Sequence, residues 1–198
     1  MNDAAIDPAV QLILRGLLSV VLAWAAWHKL RDVGAFRAAV EAYELVPPLW
    51  AVPVGAALIA AELGIAVGLW LPRVGTAAAL AAAALLLLYA AAITVNLARG
   101  RRDLACGCTG PAGTQPISAA LVARNLLLVV VAVTSVLPPV ARPWHWVDAL
   151  TVVAAVIALS ASYAALDGLL ANAPGLRRLR EADADLLGPQ PATERGNG

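Results

Sequence analysis

Long apolar runs broken by short polar punctuation dominate this chain, at about residues 8–30, 49–71, 74–98, 117–137 and 147–170. Each approaches the roughly 20 residues a helix needs to cross about 30 Å of hydrocarbon while satisfying its own backbone hydrogen bonds. Proline marks the edges: Pro72 closes the second run, Pro116 opens the fourth, and Pro138-Pro139 follows it, all positions that suit helix boundaries. Between the first two runs the period changes. Val33, Phe36, Val40 and Tyr43 recur at spacings of three and four, with Arg37, Glu41 and Glu44 on the other side, which predicts an amphipathic helix in the membrane interface. That helix is either a lid over the bundle mouth or a connector anchored at headgroup depth. The predicted fold is all-α, a polytopic membrane bundle.

Composition fixes the solvent. The chain is 61% hydrophobic and 14% charged, with a mean hydropathy of +0.78, whereas soluble domains carry about a quarter charged residues. The lipid bilayer is the first partner, and multi-pass insertion in the cell membrane is expected. The net charge of +1 gives no basis for a nucleic-acid partner, and no cofactor motif is present. Asp3 and Asp7 stand where a signal peptide would be basic, so the first run is expected to be retained as a span. Gly55, Gly64, Gly68 and many alanines favour close helix packing where lipid supplies no hydrophobic drive. Three regions follow: a bundle over 1–137, an added span over 138–170, and a polar tail over 171–198 expected to be disordered.

Five crossings place the cysteines, the amphipathic segment and the tail on one face, opposite the N-terminus. Cys106-Gly107-Cys108 lies in the one long polar loop between spans, preceded by Arg99, Arg101 and Arg102; Lys29 and Asn96 end their spans on the same side. A cationic rim favours thiolate and so thiol exchange. A disulfide between residues two apart needs a very tight turn, which glycine permits, and strain with exposure makes such a bond labile. Zinc is the weaker reading, because only His28 shares that face with the two thiols and a structural site wants four ligands. No metal is expected, and inert reduced thiols are the other alternative. The candidate redox pair is Cys106 and Cys108, with Arg124, Asn96 and Lys29 tuning it. Arg15, Glu62 and Arg124 are charges inside spans, where ionisable groups are costly and usually paired. Depth along the helices favours an ion pair between Glu62 and Arg15 serving structure, leaving Arg124 and Asn125 on the cysteine side.

Phe36, Tyr43 and Pro47, then Glu62, then Asn96-Leu97-Ala98-Arg99-Gly100-Arg101 leading to Cys106-Gly107-Cys108, then Arg124-Asn125, form an ordered set over residues 10–137. In it the chain resembles the MauE family of methylamine-utilisation membrane proteins, part of the wider group of DoxX-like proteins. The resemblance implies a four-helix DoxX-like bundle, here with a fifth C-terminal span. It also implies a part in disulfide formation during maturation of the methylamine dehydrogenase small subunit or another client, beside a thioredoxin-like partner. Thr109 stands where family members commonly carry Phe. The charges point the other way on orientation: Lys29, Arg31, Arg37, Arg99, Arg101, Arg102, Arg177, Arg178, Arg180 and Arg195 share the cysteine face, against Arg73 and Arg142 opposite. The positive-inside rule puts that face in the cytoplasm, while disulfide chemistry belongs in an oxidising compartment. A thiol-disulfide oxidoreductase or electron-relay subunit, a non-catalytic scaffold for a soluble redox enzyme, and a small transporter using Glu62 are the three functional expectations.

Overall fold

The computed structural model describes residues 5–101, 104 and 117–187, with side chains described to 169. Six α-helices run in order: α1 (Pro8–Arg31), α2 (Val33–Ala42), α3 (Ala51–Gly68), α4 (Gly75–Ala98), α5 (Ala119–Thr134) and α6 (Trp146–Leu187). A 3-10 turn, Pro48–Trp50, leads into α3. No strand occurs among the described residues; the one β feature is an isolated bridge between Ile6 and Pro139. Four helical stretches, Pro8–Arg31, Pro48–Gly68, Gly75–Ala98 and Trp146–Leu169, are long and apolar enough to cross a membrane. This is an all-α, multi-pass membrane protein.

The helices start and stop for local reasons. Asp7 caps α1, its carboxylate accepting from Ala9 N–H at 2.8 Å, and Pro8 occupies the first turn, where no amide donor is needed. At the far end His28, Lys29 and Arg31 fill the last turn, where the helix dipole favours cations. Asp32 then turns the chain and caps α2 through Ala35 N–H at 2.8 Å. α5 is shorter than the expected 117–137. Its 16 residues span about 24 Å, and the chain unwinds through Ser135–Leu137 before the proline pair.

α1, α3, α4 and α5 form a four-helix ring, and α6 lies against α1 outside it. Leu18, Leu22, Ala79, Ala82, Leu86, Leu128 and Ala132 form its buried centre. Alanine on α4 brings the backbones close without large side chains. Gly16 does the same between α1 and α6: a Cβ there would sit 2.7 Å from Val156 Cγ2. Gly64, expected among the packing glycines, has nothing within 4 Å of an added Cβ. Outside the ring Leu150, Val153 and Ile157 are more than half exposed, as a lipid-facing helix should be. Trp27 and Trp50 near one end, and Trp70, Trp144 and Trp146 near the other, are exposed and fit the aromatic belts of the two interfaces.

α6 differs from expectation at its end. It continues unbroken to Leu187, so chain expected to be disordered from 171 is helical to 187. Leu, Ala and Arg make up most of residues 171–187, and extending an existing helix avoids a new nucleation step, which offsets the poor helix formers Pro174 and Gly175.

Candidate functional site

The bundle has two polar ends, and their geometry separates two buried cations that look alike in sequence. Ser19 on α1 donates to Ala66 O on α3 at 2.9 Å, which sets those two residues at one level. Arg15 lies four residues from Ser19 towards the N-terminal face, and Glu62 four residues from Ala66 towards the opposite one, so their backbones are about 12 Å apart along the axis. Helical side chains lean towards their own helix's N-terminus. α1 and α3 are antiparallel, so Arg15 and Glu62 lean away from one another.

Lys29 is instead Glu62's partner, which corrects the expected Glu62–Arg15 pair. Lys29 starts about 9 Å beyond Glu62 along the axis, but it leans back into the bundle while Glu62 leans out to meet it. Lys29 Nζ donates to Glu62 Oε1. Both side chains are fully enclosed, 1% and 0% exposed. Tyr89 on α4 completes the cluster: its hydroxyl donates to the same Glu62 oxygen at 2.8 Å and accepts from Lys29 at 3.1 Å. The ammonium also stands 4.8 Å from the Tyr89 ring centroid and 5.1 Å from that of Phe36 on α2, within cation–π range.

Arg15 has a separate task. Its guanidinium donates to Ser135 O and Thr76 Oγ1, each at 3.4 Å, and Gln11 Nε2 donates to Ser135 O at 3.1 Å and Leu137 O at 2.8 Å. These donors satisfy carbonyls that α5 leaves open at its C-terminus. Gly75 makes room, since a Cβ there would lie 2.5 Å from Arg15 Nη1. Beside this knot Arg142 donates to Asp7 at 2.7 Å and to Asp148 at 2.8 Å. Arg142 holds the Asp7 carboxyl below its ordinary range, and the two carboxylates raise the Arg142 guanidinium above its own.

Arg124 donates to Asp167 on α6 and stands 5.7 Å from the Tyr163 ring centroid. A cavity of about 30 Å³ lies among Glu62, Tyr89, Arg124, Asn125 and Tyr163, which is room for a water molecule. Among the described residues Glu62 Oε2 is buried without a hydrogen-bond partner. Glu62 thus touches both polar groups: one oxygen holds Lys29 and Tyr89, and its side chain also lines the space reached by Arg124.

Asn96 is fully buried and donates to Ala92 O at 3.1 Å, about two turns beyond Tyr89 along α4. Cys106 and Cys108 lie outside the described residues. The chain on either side of them is tied at the Lys29 end of the bundle, where Ile117 N–H donates to Leu104 O at 3.0 Å. Arg101, leading into that segment, donates to Glu44 Oε1 at 2.9 Å. Glu44 follows α2 and has φ 50°, a left-handed conformation that ends helices and usually falls to glycine. Of the expected site residues, the structure brings Lys29 and Glu62 together, sets Arg124 across a small cavity from them, and places Arg15 at the other end. Tyr89, Tyr163 and Asp167 were missed. The available signal was polarity: Tyr89 interrupts a span with no charge, and Tyr163 and Asp167 sit one helical turn apart in the last one.

The family model described as methylamine utilisation protein MauE matches residues 7–138. Methylamine utilization protein MauE of Paracoccus denitrificans is 39% identical over 132 residues, covering 67% of this chain and 71% of that protein. Its counterpart in Paracoccus versutus is 38% identical over 152 residues, 76% of this chain and 82% of the relative. The Methylorubrum extorquens protein of the same name is 40% identical over 119 residues, 60% and 64% of the two chains. No solved structure matches. The matched region spans α1 to α5, with Arg15, Lys29, Glu62, Tyr89 and Arg124 and the cysteine segment, and the chain belongs to the MauE family.

Proposed function

We propose that this chain is a membrane thiol-disulfide redox protein of MauE type, which assists disulfide formation in a partner through Cys106 and Cys108. The observation that carries the reading is the sequence Arg101-Arg102 followed by Cys106-Gly107-Cys108, on a segment flanked by Leu104 and Ile117, which are hydrogen-bonded to each other at the end of the bundle nearer Lys29. Cations favour the thiolate that exchange requires. The exchange balances: the Cys106–Cys108 disulfide breaks as the partner's two thiols join in one S–S bond, and two protons and two electrons pass from partner to this chain. The partner is a thioredoxin-like protein or the client itself, and the family resemblance makes the methylamine dehydrogenase small subunit, or another disulfide-bearing protein, that client. Lys29, Asn96 and Arg124 act as positioning and tuning residues. The cell membrane is the compartment, with the cysteine face outward.

A strain in which the chain carries Cys106→Ser and Cys108→Ser tests this reading. Its client proteins should accumulate with free thiols, read by alkylation and mass spectrometry, while the protein stays inserted at wild-type level. Clients oxidised to the normal extent in that strain would overturn the proposal.

A further inference from the structure

We propose that the chamber beneath α2 binds the ring of a membrane-dissolved carbonyl compound, the head-group chemistry of an isoprenoid quinone. This proposal stands on the chamber and not on the thiols. The chamber has a volume of about 170 Å³ and is enclosed by α2, α3 and α4, with Phe36, Val40, Tyr43, Val54, Leu58 and Ile93 among its walls and Lys29 at its polar end. A cavity of about 150 Å³ accepts one benzene ring, so the space suits a single substituted ring.

Three observations select the occupant. The walls are almost wholly apolar, which excludes an ion or a sugar. Lys29 supplies the one charged donor among the lining residues: an ammonium has three N–H groups, Glu62 and Tyr89 take two, and one is left for an acceptor oxygen. A plain acyl chain gives that donor nothing to bond, whereas a ring carbonyl does. Leu88, also on the chamber wall, is 55% exposed and lies ten residues, about 15 Å, from the end of α4. The mouth therefore opens at hydrocarbon depth, and the ligand enters from lipid.

A second source of the same chemistry is the ester carbonyl of a phospholipid. The experiment distinguishes them with the purified full chain in nanodiscs of ether-linked lipid, which has no ester carbonyl, titrated with a short-chain benzoquinone and read by native mass spectrometry. Saturable binding of one quinone per chain is expected. Ala39→Leu with Ala92→Leu fills the chamber from two sides and leaves the ion pair intact, and should weaken binding tenfold or more. Lys29→Met with Glu62→Gln removes the donor without stranding a charge, and should also weaken it; if that pair does not fold, the chamber-filling pair decides. Repeating the titration in ester-linked lipid assigns the source: unchanged affinity supports the quinone, and competitive loss supports the lipid carbonyl in the same site. Signal that rises without saturation, or equal affinity in wild type and the chamber-filled variant, overturns the proposal.

Discussion

The two ends of this bundle each hold a buried cation on α1, and they use it in opposite ways. At the N-terminal end Arg15, Gln11 and Arg142 bond carbonyls and carboxylates at helix ends, so polarity closes the fold. At the other end Lys29 faces a carboxylate, a phenol and an open apolar chamber. A buried ion pair contributes little net stability because desolvation offsets most of its attraction. Keeping one at the wall of an apolar chamber is hard to explain by stability, and that contrast separates the fastening from the site.

The sharpest break comes from stranding a charge. Lys29→Met strands the enclosed Glu62 carboxyl without its cation, and should destabilise the protein in detergent by about 3–5 kcal/mol. Adding Glu62→Gln should recover most of that loss. Arg15→Leu should cost less, about 0.5–1.5 kcal/mol, because Ser135 O keeps Gln11 as a donor, and should add to Glu62→Gln without coupling, because the two side chains diverge from levels about 12 Å apart. A coupling energy above about 1 kcal/mol between Arg15 and Glu62 would return the original pairing. Thermal or denaturant melts of these five variants, Glu62→Gln alone included, read all of these values.

That cycle also marks where sequence reading reached its limit. Four of the five expected spans were legible because hydrocarbon thickness imposes a length on them, whereas α5 falls short of that length, and α2 was legible because its apolar face repeats at helical spacing. Lys29, Glu62 and Arg124 were legible as candidates because charge is rare inside a span. The pairing was not. Depth was counted along each helix as if side chains projected level, but antiparallel helices tilt them in opposite directions, which brings Lys29 to Glu62 and turns Arg15 away. Register between α1 and α3 is marked by the Ser19–Ala66 hydrogen bond, and no local pattern announces it. Tyr89 escaped notice because a lone phenol inside an apolar run reads as packing until its hydroxyl finds two partners.

A smaller effect separates the ends by pH. Asp7 is held below its ordinary carboxylate range, chiefly by the hydrogen bond from Arg142. A depressed folded-state value means the contribution is fully present above the unfolded pKa of about 3.9 and is lost as pH falls through the folded value. Stability should therefore show an Asp7-dependent decline only below about pH 4, and Asp7→Asn should remove it. The smallest change is expected at Glu44. Glu44→Gly relieves a left-handed backbone but removes an exposed bridge to Arg101, and such bridges are worth about 0–1 kcal/mol. Melting should move little, while a slower thiol exchange rate would show that the bridge positions the cysteine segment.

The most direct measurement is the redox state of the cysteines themselves. The purified protein is equilibrated across a graded thiol/disulfide buffer, trapped by alkylation and read by mass spectrometry at Cys106 and Cys108. The account predicts reversible two-electron cycling with a midpoint more oxidising than about −300 mV, the level below which structural disulfides usually sit, and a thiol that alkylates readily near neutral pH. Two thiols that stay reduced at every ratio and react only in alkali would contradict it.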